Sequence, residues 1–229
     1  MAKLEFEGHA KGAVEKVAVE IKDLVIAGWT GRDVAALNHH IEELKAIGVQ
    51  PPSRVPIYYR AAAHMLTQAD SIQVLGDDSS GEVEPVLIGA ADRLWVTVGA
   101  DHTDRKVESY GIAISKQMCA KPIGRTAWRF EEVEPHWDKI ILRSFIEEGG
   151  RKVPYHEGLL GNIRAPRDLI AGWNNGDKRL PVGVAMFCGT LPAIGGIRSS
   201  SRFDMEIEDP VLGRKLSHSY IVQALPIVS

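Results

Sequence analysis

Two glutamates separated by one residue, in the run GEVEPVLIG, are the first residues of this chain whose types and spacing suggest chemistry. Alternate side chains leave the same face of an extended strand, so Glu82 and Glu84 project together, about 7 Å apart along the chain. They repel one another. Val83, Leu87 and Ile88 put the strand at least half inside the protein, where ionised carboxylates are costly unless a cation compensates them. The next apolar run, LWVTVGA, ends directly in Asp101, a third carboxylate delivered at the rim of a sheet. Three hard oxygen donors with no Cys or His among them suit Mg²⁺, Mn²⁺ or Ca²⁺ better than zinc. The same spacing also describes a solvated strand face, and as a bare pattern it stays open between the two.

The elements that must position these residues are mostly strands. Residues 3–8 and 15–27 alternate apolar and polar side chains around Gly12, which predicts an opening hairpin followed by an apolar strand. From Thr30 the period changes. Val34, Leu37, Ile41 and Leu44 recur at three and four, Thr30 and Asp33 resemble a capping box, and Gly48 supplies a stop, so residues 31–47 are expected to be helical. Short β-like runs follow at 56–60, 70–76, 82–89 and 93–100, then a helix over 104–118. WRF at 128–130, a hairpin over 139–155 turning at Glu148-Gly149-Gly150, VGVAMFCGT at 182–190 and a strand pair around Gly213 complete the chain. No repeat, low-complexity tract or linker divides it. The expectation is a single α+β, mostly β, domain, a mixed β-sandwich or roll with few peripheral helices. Its parts would be an N-terminal hairpin and strand over 1–30, a short helix over 31–48 and a β core over 49–229.

Composition narrows the partners. Across 229 residues, Lys+Arg 27 against Asp+Glu 30 leaves a net charge of -3, which gives no general attraction for nucleic acid or anionic membranes. A small molecule is the better first guess. Cys119 and Cys188 are too few for a disulfide framework and lack zinc-site spacing; they read as buried small hydrophobes in a reducing, cytoplasmic setting. MAKLEFEGHAKG mixes charges from the start and no later run approaches ~18 uninterrupted apolar residues, so neither a signal peptide nor a membrane span is expected. GTLPAIGGI lacks the Lys-Ser/Thr of a nucleotide-binding P-loop, and backbone contacts to a substrate carboxylate are the milder reading.

Taken in order, GEVEPVLIG, VGADHTDR, SKQMCAKPIG and VAMFCGTLPAIGGI, followed by an acidic β run, a Gly-Arg-Lys-Leu turn and a last strand, resemble the fumarylacetoacetate hydrolase family over roughly residues 27–222. The resemblance implies a Mg²⁺- or Mn²⁺-dependent homodimeric hydrolase cleaving a carbon–carbon bond in a small 2-oxo acid or 1,3-dicarbonyl compound. Decarboxylation and keto-enol isomerisation on the same site are the alternatives. It makes Glu82, Glu84 and Asp101 the metal ligands, Arg105 and Lys116 the groups that hold or polarise substrate, and Thr190 a substrate-binding hydroxyl. A scaffold that has lost catalysis is the rival, and it has no need of so much buried charge. Departures point to a divergent branch: the link from Glu84 to Asp101 is short where the family carries a helical insert, Cys119 replaces an Asp, and the family's Arg-Asp order reads Asp104-Arg105.

Active members of the family pair a His with a Glu three residues later on a lid helix, to orient or deprotonate the attacking water. Here NHHIEEL offers His40 with Glu43 or His39 with Glu42. At 100° per residue His40 borders the apolar stripe while His39 and Glu42 point away, which favours His40 and Glu43. His102 adjoins Asp101 but should leave the opposite side of an extended backbone. The remaining histidines carry no partner pattern. The helical phase is testable: His40→Ala should lower kcat on the authentic substrate by roughly 10²- to 10⁴-fold and His39→Ala should do little, whereas the reverse result would move the dyad to His39 and Glu42.

Overall fold

The computed structural model describes residues 1–35, 37, 38, 42, 51–91 and 93–228. Alternation builds the first hairpin. Leu4 and Phe6 of β1 (Ala2–Ala10) are buried between exposed Lys3, Glu5 and Glu7. Its turn to β2 (Ala13–Ile21) passes through Lys11 and Gly12 at φ of 50° and 75°, the left-handed pair that matches the twist of a tight hairpin. The expected single run over 15–27 is divided at Lys22, where the chain leaves β2 and enters β3 (Asp23–Gly28).

These strands join a mixed eight-stranded sheet in the order β2-β1-β12-β9-β8-β15-β3-β4, with β4 at Ile57–Ala61, β8 at Val83–Gly89, β9 at Leu94–Ala100, β12 at Thr126–Arg129 and β15 at Val184–Phe187. β8, β9 and β15 are buried at every position, as expected of central strands covered on both faces. VGVAMFCGT, expected from sequence at 182–190, supplies β15 inside the sheet, between β8 and β3. A second sheet, β14-β13-β16-β17-β6, contains β6 (Ser71–Leu75), β13 (Ile141–Glu148), β14 (Arg151–Leu159), β16 (Arg202–Asp209) and β17 (Arg214–Leu225). Two short pairs complete the set: β7 (Ser79–Ser80) with β10 (Thr103–Asp104), and β5 (Leu66–Thr67) with β11 (Lys121–Pro122).

One core cluster joins Val83, Leu87, Val96 and Met186 of the large sheet to Leu142, Phe203, Ile207 and Leu216 of the smaller one. The other face of the large sheet carries Phe6, Ile26, Val86, Ile88, Trp95 and Phe187. Each such aliphatic or aromatic side chain contributes about 1.5–3 kcal/mol by leaving water. Glu84 shares the parity of Val86 and Ile88, so it projects from this second face, at the end of β8.

The helices differ more from expectation. Val34, Ala35, Leu37, Asn38 and Glu42 are helical, but Val34 is exposed and Leu37 buried, and the cap is Asp33, whose Oδ1 accepts the Ala35 N–H at 2.9 Å. Thr30 is instead buried ahead of the helix, its carbonyl accepting the Arg164 N–H at 2.8 Å. His39, His40 and Glu43 lie outside the described residues, and with them the choice of dyad. The helix expected over 104–118 is two helices, Arg105–Glu108 and Ile112–Met118; Asp104 caps the first and the extended Gly111 starts the second. A helix over Pro166–Trp173 occupies a stretch read as loop, with Pro166 in its first turn and Leu169 and Ile170 in the core. Both cysteines are buried thiols, as expected. Among the described residues no helix is long and apolar enough to cross a membrane.

His156 gives this fold an acid limit. Its ring lies buried beside Ser144, whose hydroxyl is 2.6 Å from Nδ1, and burial holds its pKa at about 4 against an ordinary 6.5. Between those values the unfolded chain binds the proton and the folded chain does not, so this contribution is complete above pH 6.5 and is lost as pH falls toward 4. It is on the order of 3 kcal/mol. Urea titrations between pH 4 and 7 should show stability rising with pH, with a shallower slope for His156→Asn.

Candidate metal centre

A tight antiparallel hairpin brings the carboxylates together. β8 pairs with β9 so that Val83 faces Ala100 and Glu84 faces Gly99, and the ladder continues with the Asp101 N–H donating to the Glu82 carbonyl at 2.9 Å. The short link expected between Glu84 and Asp101 is therefore what sets Asp101 against Glu82. One oxygen from each of Glu82, Glu84 and Asp101 lies within 4.8 Å of the others. Glu84 and Asp101 are buried and Glu82 is 20% exposed at its side chain.

Glu84 and Glu82 are each held at one oxygen by a hydrogen bond, and Asp101 lies between two lysines. Glu84 Oε2 accepts the Gly189 N–H at 2.6 Å. Glu82 Oε1 accepts from Arg105 Nη1 at 3.2 Å, and the same guanidinium bonds Glu108 at 2.9 Å and the Ser80 hydroxyl at 2.6 Å. Asp101 Oδ1 lies 3.1 Å from Nζ of Lys121, which is fully buried and also donates to the His102 carbonyl at 2.6 Å. The other Asp101 oxygen accepts from Lys116, whose Nζ is 3.4 Å from Glu82 Oε2.

Charge explains which groups ionise. Burial works to raise both Glu82 and Asp101, but Lys116 with Arg105, and Lys116 with Lys121, outweigh it and hold the two carboxyls below their ordinary range. Among the described residues no cation pairs directly with Glu84, and the Lys116 charge offsets its burial only in part. Burial, then the charges of Asp101 and Glu82, push it well above the usual carboxylate range. Burial alone would lower Lys116, and the Asp101 and Glu82 charges reverse that; for Lys121 burial prevails and the ammonium is destabilised. Among the described residues Arg105, Lys116 and Lys121 pair with Glu82, Asp101 and Glu108, and a divalent cation among the three oxygens would favour the ionised form of Glu84. A hard, all-oxygen donor set fits Mg²⁺ or Mn²⁺.

The structure gathers Glu82, Glu84, Asp101, Arg105 and Lys116 as the sequence suggested, and turns Arg105 onto Glu82, Glu108 and Ser80. Thr190 follows the Gly189 amide that holds Glu84, and its Oγ1 is buried without a hydrogen-bond partner. His102 leaves the opposite side, as expected; its ring nitrogens lie 3.0 Å from the Tyr220 hydroxyl and 2.9 Å from that of Ser79, and burial lowers its pKa to about 3. Two members were missed. Lys121 precedes a proline and carries no periodic signal, and Tyr59, whose ring centroid lies 5.7 Å from Lys116 Nζ, sits in an unremarkable apolar strand.

The model for a family described as "Protein of unknown function (DUF2848)" matches residues 27–220, and the chain belongs to that family. No curated protein matches it in sequence. Among solved structures it is similar to Cg1458 with inhibitor, at 16% identity over 93% of this chain and 81% of that one, with a TM-score of 0.65. A provisionally assigned fumarylacetoacetate isomerase/hydrolase from Oleispira antarctica aligns at 17% identity, over 97% of this chain and all of the other, with a TM-score of 0.65. A 2-keto-3-deoxy-D-arabinonate dehydratase complexed with magnesium and 2,5-dioxopentanoate aligns at 13% identity, over 91% and 75%, with a TM-score of 0.61. The expected fold is thereby established: a divergent sequence on the α+β fold of fumarylacetoacetate hydrolase-type proteins.

Gly189 is the backbone position on which Glu84 depends. Its φ of 100° is strained for any side chain, and an added Cβ would stand 1.8 Å from the Thr30 Oγ1. Gly189→Ala should cost about 3 kcal/mol or more in urea unfolding, and adding Thr30→Ala should recover the overlap but not the backbone strain.

Proposed function

We propose that this chain is a divalent-metal-dependent enzyme that cleaves a carbon–carbon bond in a small 2-oxo acid or 1,3-dicarbonyl compound by hydrolysis. The observation that carries the reading is the convergence of three carboxylate oxygens within 4.8 Å, on a fold shared with a dehydratase complexed with magnesium and 2,5-dioxopentanoate. Glu82, Glu84 and Asp101 would hold Mg²⁺ or Mn²⁺, which when bound supplies Lewis acidity toward a substrate oxygen. Arg105 keeps Glu82 oriented and stands near enough to contribute to binding a substrate carboxylate. Lys116 would neutralise charge developing on a carbonyl oxygen as the bond breaks, and Thr190 Oγ1, with no internal partner, would hydrogen-bond substrate. His40 with Glu43 would take the proton from the attacking water. Without water attack the same groups would serve decarboxylation or tautomerisation. The chain is further proposed to act as a homodimer in the cytoplasm, and its mass in solution tests the first of these.

Two measurements decide. Mg²⁺ or Mn²⁺ at 100 times Kd should add about 2.7 kcal/mol of stability, and Glu82→Gln or Asp101→Asn should abolish the gain. Loss of enol absorbance across a panel of acylpyruvates and 2-oxo acids, dependent on the ion, should identify the substrate. A melting temperature indifferent to EDTA and to millimolar Mg²⁺ and Mn²⁺ would sink the proposal.

A further inference from the structure

We propose that Lys116 is a built-in occupant of the cation position, a latch that neutralises the carboxylates in the metal-free protein and that a divalent ion must displace to bind. The inference rests on reading Glu82, Glu84 and Asp101 as metal ligands and adds a competitor for their oxygens.

The pattern of tied and untied oxygens carries it. Gly189 holds Glu84 Oε2, Arg105 holds Glu82 Oε1, and Lys121 stands at Asp101 Oδ1. Toward a shared cation that leaves Glu84 Oε1, Glu82 Oε2 and the Asp101 carboxylate, whose Oδ1 is buried without a hydrogen bond. Lys116 engages two of these three carboxylates: it donates to Asp101 Oδ2 and lies 3.4 Å from Glu82 Oε2. An ammonium and a divalent ion cannot both sit among them, because like charges about 4 Å apart in a partly buried site repel strongly. The lysine must therefore withdraw.

Its stem and its neighbour supply the means. Lys116 lies in the last turn of the short helix Ile112–Met118 on an unbranched, rotatable stem, and the Tyr59 ring, 5.7 Å from Nζ, offers an aromatic face to a displaced ammonium. Lys121 has no such freedom, being fully buried and bonded to the His102 carbonyl. The two lysines on Asp101 therefore differ in kind: Lys121 pins the ligand, and Lys116 competes for it. Displacement would hand an ammonium to the substrate only when the ion is in place, so that an empty centre cannot bind substrate productively.

Calorimetric titration of Mn²⁺ into wild type, Lys116→Met and Lys121→Met separates this from a general effect of charge. The latch requires Lys116→Met to bind Mn²⁺ about tenfold more tightly than wild type, and Lys121→Met to gain nothing. Equal gains in both variants would show that net charge alone matters and would overturn the latch. Unchanged or weaker binding by Lys116→Met, with wild type still binding, overturns it while leaving the metal centre standing; no binding by any form removes both. A second measurement needs no variant. In wild type, acetylation of Lys116 by a water-soluble amine reagent, followed by mass spectrometry at constant pH, should become several-fold faster on adding Mn²⁺, and an unchanged or slower rate would overturn the proposal.

Discussion

Three carboxylates in a nearly dry corner of a sheet repel one another and lose their hydration together, and most of what surrounds Asp101 can be understood as the answer to that cost. Desolvation of each ion is worth several kcal/mol, so each needs a cation or a directed hydrogen bond at close range. Two lysines reach Asp101, an arginine reaches Glu82, and a backbone amide reaches Glu84. The allotment is uneven, and the unevenness is informative. A site meant only to be stable would give Glu84 a cation as well, or dispense with the carboxyl.

The fold supplies these partners from separate elements, and each is held for its own reason. The hairpin of β8 and β9 sets the carboxylates in register, the first short helix is capped by Asp104 so that Arg105 emerges at its start, and the pairing of β11 with β5 fixes Lys121 beneath Asp101. Behind them a cluster of Phe203, Tyr220 and His102 rings supports the loop: Phe203 stacks on Tyr220 and His102 meets both edge-on. A Cβ on Gly81, the residue before Glu82, would approach the Tyr220 hydroxyl to 2.4 Å, so the approach to Glu82 has been fitted to that aromatic wall.

Much of this was legible where local pattern determines structure. Strands announce themselves by alternation or by continuous apolar runs between glycines, which is why β1, β8, β9 and the hairpin through Gly149 and Gly150 lie where expected. The glutamate pair was visible because a period of two forces both side chains to one face. Legibility failed where the decisive contact is distant in sequence. Lys121 looks like a surface residue until β11 meets β5, and nothing near it reports that its ammonium ends under Asp101. The break at Gly111 and the helix from Pro166 had local signals, a glycine after an aromatic residue and a proline opening a turn, but each competed with a longer apolar rhythm that suggested something simpler.

The place of β15 in the large sheet governs how the molecule comes into being. This strand arrives late in the chain yet lies between β8 and β3, pairing antiparallel with one and parallel with the other. Until it docks, the sheet consists of two open pieces, β3 with β4 and the group from β2 to β8, each exposing an unpaired apolar edge. Such non-local closure makes for slow folding and leaves those edges vulnerable to pairing with other chains. Gly189 follows two residues beyond this strand, so the amide that secures Glu84 is delivered by the event that seals the sheet. A chain with both half-sheets formed and β15 still outside would have its carboxylates but not the anchor of Glu84, and the centre is therefore also a marker of completed assembly.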